Sequence, residues 1–168
     1  MSDRIYIETS PIIDVIKGRV GTDPNRKRDL WHTEECLRAA LAGDIEVVTS
    51  VLTIAECRRA KQDKKPTEEM KRIIRAVLAS GRIFHLAEVT QTIAEYARDL
   101  EWEYDINLKG ADAIHVATAI RTGCQEFFTT DEKGPVKNAI KLAKLKLRVI
   151  SPSETLLLPP EYRQGKLQ

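Results

Sequence analysis

Aromatic side chains are scarce in this chain: three phenylalanines, four tyrosines and two tryptophans among 168 residues. Trp31, Trp102 and Tyr104 fall in no row on which successive bases could stack, so no readout of a base sequence is visible. Cysteine is also scarce, with Cys36, Cys57 and Cys124 widely scattered. They make no CxxC pair and no zinc-like spacing, which leaves them as small buried hydrophobes of a reducing compartment. No uncharged apolar run approaches the roughly 20 residues that cross a bilayer. The opening MSDRIYIETS has no apolar core of a secretory signal, so a cytoplasmic protein without a membrane partner is expected. Neither sign of charge dominates. Lys and Arg number 27 against 25 Asp and Glu, a net charge of +2, and so small a total identifies no partner.

What is present is the composition of a water-soluble globule, 42% hydrophobic and 31% charged, of a length that suits one domain over residues 1–168. Short β-rich runs alternate with longer helical ones. Strands are predicted at 5–8, 46–49, 83–86, 126–129 and 148–150. Helices are predicted at 11–17, with Ser10 as cap and Pro11 in first position, then at 29–42 and from Ser50 to about Lys61. Further helices follow at 67–80, 90–101, 109–122 and 135–145. Residues 20–28 read as an exposed loop and KQDKKP at 61–66 as a break. Residues 152–168 are expected to form a loosely packed tail. Strands separated by helices imply an α/β fold, a parallel sheet flanked by helices in an α/β/α sandwich. Ligands then sit beyond the carboxyl ends of the strands.

Four acids stand alone in uncharged surroundings. Glu8 ends the first strand, in IYIETS. Residues 47–55 carry no charge before Glu56. Asp112 is the one formal charge in GADAIHVATAI, near a helix start, and Asp131 follows the strand in FFTTD. Carboxylates are rarely buried alone, and if the sheet gathers these four, their repulsion demands a cation. Oxygen ligands without a His/Cys set favour Mg²⁺ or Mn²⁺. Each acid also has a plainer reading. Asp112 suits a helix N-terminus, Glu56 can pair with Arg59, Glu8 with a surface cation, and Asp131 can serve a turn before Gly134. Four coincidences at one end of one sheet are harder to accept than one shared cause.

The segments YIETSPIID, TSVLTIAE, GADAIHVATA and FFTTD, in this order and spacing, resemble the PIN-domain family. They are most similar to the toxin ribonucleases of bacterial type II toxin–antitoxin (VapC-like) systems. The resemblance runs from Ile5 to Ile150, with GADAIHVATA and TTD the more specific blocks. It implies metal-dependent endonuclease activity on RNA, leaving 5′-phosphate and 3′-hydroxyl ends, with a small antitoxin protein as partner and a homodimer. The family's acidic set falls on Glu8, Glu56, Asp112 and Asp131, and its hydroxyl positions on Thr9 or Ser10 and on Thr130. Glu8 departs from the pattern, because most members carry Asp there.

On this reading Glu8, Asp112 and Asp131 ligate the metal, Glu56 acts directly or through water, and Thr130 or Ser10 holds the water or a phosphate oxygen. His115 shares a helix face with Asp112, as a polar residue of the core edge or as a ligand or proton shuttle. Asp14 is a weaker additional acid, and His32 and His85 have no ligand-spaced neighbours. Residues 58–75 hold eight basic side chains against three acidic ones. Lys137, Lys141 and Lys144 form a helical stripe, either a track for a phosphate backbone or a solvated face. The alternative function is a catalytically degenerate PIN-like RNA- or protein-binding module, favoured by Glu8. An aspartyl phosphotransferase lacks its DxD pair here, and a DNA nuclease differs only in substrate.

Overall fold

The first strand, β1 (Arg4–Ile7), is buried on both faces because helices cover both sides of the sheet it centres. The computed structural model describes residues 3–58 and 65–164. With β2 (Glu46–Ser50), β3 (Phe84–Ala87), β4 (Glu126–Phe128) and β5 (Arg148–Ile150) it makes a five-stranded parallel sheet of order β3-β2-β1-β4-β5. This is the flanked parallel sheet expected from the alternation of elements.

Period-2 alternation divides the core. Ile5, Ile7, Val47, Phe84, Phe128 and Ile150 pack under α1 (Thr9–Lys17), α2 (Pro24–Ala42) and α4 (Glu68–Leu78). Tyr6, Val48 and Phe127 point the other way, against α5 (Gln91–Trp102), α6 (Gly110–Arg121) and α7 (Ala139–Lys144). Between β2 and α4 lies a short α3 (Leu52–Glu56), and α8 (Pro160–Arg163) follows β5. From β1 the chain moves to β2 and β3 on one side, then returns to place β4 on the other. The strand order therefore reverses between β1 and β4, the crevice where such sheets bind ligands.

Several local expectations are corrected. α1 begins at Thr9 with Glu8 as N-cap residue, so Ser10 lies inside the first turn and its hydroxyl serves Glu8. The predicted loop at 20–28 is largely helix. Asp23 caps α2 by accepting the Asn25 N–H at 2.9 Å, with Pro24 in first position. α3 ends at Glu56 and not near Lys61; the break at 61–66 and Arg59 lie largely or wholly outside the described residues. The predicted basic helix at 135–145 is a 3₁₀ helix over Gly134–Asn138 followed by α7. Lys137 thus lies on the 3₁₀ segment and Lys141 and Lys144 on α7, and Lys141 is engaged by Asp105 at 2.5 Å.

The segment after β5 is packed, against the expectation of a loose tail. Leu158 is fully buried in the first core, and Thr155 and the Leu156 N–H are bound by the buried carboxylate of Glu126. Tyr162 on α8 donates its hydroxyl to Asp44 at 2.6 Å. The three cysteines are buried and free. Burial pushes the Cys57 and Cys124 thiols up to about 12, and raises Cys36 as well, so the thiols stay protonated near neutrality. Among the described residues no helix is long and apolar enough to cross a membrane.

Candidate active site

Glu8 leaves β1 at the strand-order reversal and is buried there. Its Oε1 accepts the hydroxyls of Ser10 and Thr129, each at 2.5 Å. Ser10 Oγ in turn accepts from Thr130, from its N–H at 3.4 Å and its hydroxyl at 3.1 Å. The Thr129 hydroxyl accepts the Asp131 N–H at 3.0 Å. The β1 and β4 ends are thus joined by side chains beyond the point where the backbone ladder stops.

Thr129 was absent from the predicted site, where Thr130 stood for the hydroxyl of this segment. Strand parity carries the missing signal. Tyr6 is in register with Phe127, so two residues further on Glu8 and Thr129 point to one face. Thr130 points elsewhere and reaches Glu8 only through Ser10.

Glu56 ends α3 and approaches from the other side of β1. Its Oε2 accepts the Thr9 hydroxyl and lies 2.7 Å from His115 Nε2. Asp112 lies in the first turn of α6, half-buried. It packs against Gly134, whose φ is +60° and where an added Cβ would lie 2.6 Å from Asp112 Oδ2. Asp131 is exposed, and its Oδ1 accepts the Lys133 N–H at 3.0 Å, the turn contact of the plainer reading.

Asp112 lies within charge range of the other three acids. Burial pushes the Glu8 carboxyl above its ordinary value, against the hydroxyl bonds and nearby His115, and Asp112 adds to the rise. Burial also raises Asp112; His115 opposes this, while the charges of Asp131 and Glu56 add to it. Burial would raise Glu56 too, but the bonds from His115 and Thr9 outweigh it and hold that carboxyl below the usual range. Asp112 is therefore the hub, coupled to each of the other three. Among the described residues no three acidic, His or Cys side chains stand in an arrangement that could hold a metal ion as they are. The donor set nonetheless fits a hard divalent cation, consisting of oxygen ligands, two of them destabilised by burial and mutual repulsion.

Other candidates fall elsewhere. Asp14 pairs with Arg26 at 2.6 Å, beside a cavity of about 700 Å³ that none of the four acids lines. His32 Nδ1 is bonded to the Arg28 carbonyl at 2.8 Å, and His85 lies 3.9 Å from Glu46. A smaller cleft of about 460 Å³ reaches the edge of the site at Thr129, Thr130 and Asp131; besides Arg26 and Arg28 of α2 it is lined by Asp23, Asp29, Glu132 and Glu154, so its walls are acidic on balance.

The PIN domain model matches residues 5–139. The fold is similar to a toxin–antitoxin complex from Klebsiella pneumoniae, at 23% identity and TM-score 0.56, covering 90% of this chain and 99% of that one. It is also similar to VapBC2 from Rickettsia felis, solved bound to a DNA fragment from its promoter. The identity there is 15% and the TM-score 0.61, over 88% of this chain and 98% of that one. FitAcB from Neisseria gonorrhoeae matches at 18% identity and TM-score 0.55, over 90% and 99%. No curated protein sequence matches the chain.

Proposed function

The chain belongs to the PIN-domain family, and from that premise we propose that it is a Mg²⁺- or Mn²⁺-dependent endoribonuclease, the toxin of a cytoplasmic toxin–antitoxin pair. The observation that carries the reading is the gathering of acids at the strand-order reversal, where Glu8 and the Asp131 N–H share the Thr129 hydroxyl and Thr9, next to Glu8, binds Glu56. Glu8, Asp112 and Asp131 are the residues to hold the ion, with Glu56 beside them directly or through water. When bound, the cation supplies charge stabilisation on the phosphate oxygens and acidifies water. Ser10 and Thr129 keep the Glu8 carboxylate oriented, and Thr130, bonded to Ser10, is the residue proposed to hold a phosphate oxygen. The toxin–antitoxin complexes among the structural neighbours support an antitoxin partner; a homodimer belongs to the same proposal.

Purified protein is expected to cleave RNA with Mg²⁺ or Mn²⁺ and to lose that activity with chelator or on Asp112→Asn. Cleavage that survives both would refute the metal mechanism. The binding-module alternative draws on Glu8, a longer acid already satisfied by two hydroxyls. A calorimetric Mn²⁺ titration without heat above background, with RNA still bound, would favour it.

A further inference from the structure

His115 is almost fully buried on α6, only 2% exposed, so both ring nitrogens must find partners inside the protein. Nδ1 lies 2.6 Å from the Tyr6 hydroxyl and Nε2 lies 2.7 Å from Glu56 Oε2. The Tyr6 oxygen already accepts the Ser50 N–H at 3.1 Å. Its own proton is then free to go to Nδ1, which makes Nδ1 the acceptor and puts the ring proton on Nε2. The opposite neutral tautomer would set the Nε2 lone pair against a carboxylate oxygen. Four elements are joined in one chain: the β2 backbone, Tyr6 of β1, His115 of α6 and Glu56 of α3.

We propose that His115, fixed as its Nε2–H tautomer by Tyr6, is a positioning residue that orients the Glu56 carboxylate at the acidic site. The assignment rests on the nuclease reading only for what Glu56 is held to do. A polar pair serving the core alone would need no particular partner at Nε2. Here the imidazole and the Thr9 hydroxyl converge on the same oxygen, Oε2, from α6 and α1. Such outer partners change metal affinity by roughly 10–100-fold when removed.

Two measurements test this. In ¹⁵N-histidine-labelled protein without metal, long-range ¹H–¹⁵N correlation should show His115 with a protonated Nε2 and a bare Nδ1. A proton on Nδ1 overturns the assignment, whatever the protein's activity. Calorimetric titration with Mn²⁺ should then give binding weakened roughly 10–100-fold in His115→Leu. His115→Gln, whose amide can still donate toward Glu56, should bind nearly as the parent does. Equal affinity in the parent and in a folded His115→Leu overturns the positioning role. Failure of the parent itself to bind Mn²⁺ overturns the metal reading instead, and the tautomer measurement still decides on His115.

Discussion

Thr129 and Glu8 meet across the seam between β4 and β1, hydroxyl to carboxylate at 2.5 Å. A buried carboxylate needs donors in place of water, and Thr129 provides one that the parallel register delivers to the same face. Thr129→Val should therefore destabilise the fold by about 1–3 kcal/mol, the cost of a stranded buried acceptor. The same change removes the acceptor for the Asp131 N–H, so cleavage should fall as well. Urea unfolding near neutral pH checks the first effect, with Thr129→Ser as the variant that should stay close to the parent. A valine variant as stable as the parent would remove Thr129 from the site.

Gly134 is tied to Asp112 more tightly than a turn requires. Its φ of +60° costs a side-chain-bearing residue about 1–2 kcal/mol. The 2.6 Å approach of a new Cβ to Asp112 Oδ2 would displace the carboxylate besides. Gly134→Ala should lower the thermal midpoint by a few degrees and reduce cleavage by roughly 10-fold or more, in the range of outer-sphere changes. Circular dichroism melting and an RNA cleavage assay on the same sample would show both. Unchanged cleavage would mean that the Asp112 position tolerates the shift.

The sheet and the four acids were legible because each acid sits at the end of a buried element or in an uncharged stretch of one, where composition makes it stand out. The side chains that hold those acids were not. Seeing Thr129 opposite Glu8 requires knowing that β4 lies next to β1, 121 residues away. The Tyr6–His115–Glu56 chain spans sequence separations of 109 and 59, which no local pattern marks. The start of α2 was legible in Asp23-Pro24, but the charges around it resembled a solvated loop. The 3₁₀ start of the basic helix was not legible either, because i, i+4, i+7 spacing presumes α pitch and Gly134–Asn138 is 3₁₀.

Glu126 offers a control away from the acids. Its carboxylate, buried at the start of β4, accepts from Arg148 at 2.8 Å, Thr155 at 2.6 Å and the Leu156 N–H at 3.0 Å. It thereby latches the segment after β5 to the sheet. Glu126→Leu should cost about 1–3 kcal/mol through the donors it strands. Amide exchange should speed up at Leu156 and its neighbours while Mn²⁺ affinity stays as in the parent. Protection unchanged at Leu156 would show that the segment is held by Leu158 packing alone.

The raised carboxyls of Glu8 and Asp112 give the protein a pH dependence whose sign can be worked out. Their folded pKa values stand above the unfolded ones, chiefly through burial. The stability they contribute is therefore full below the ordinary carboxylate range and is lost as pH rises through the folded values. Glu56 works the other way. Its carboxyl is held low despite burial, by His115 and Thr9, so its contribution is present above the ordinary range and is lost as pH falls through the lowered value. With chelator, at pH above the folded values, the cost that remains is that of two buried carboxylate charges near one another, and Asp112→Asn should raise the melting temperature by a few degrees while abolishing cleavage. Mn²⁺ should raise the parent's melting temperature far more than the variant's, because the ion meets the charge that the substitution removes. That stabilisation should shrink as pH is lowered, because protons compete for the same oxygens, and about pH 7.5 and about pH 5.5 serve as the two points of comparison. Scanning fluorimetry at both pH values, with chelator and with Mn²⁺, reads all of these shifts. An Asn variant no more stable than the parent in chelator, and equally stabilised by Mn²⁺, would mean that Asp112 carries neither the repulsion nor the ion.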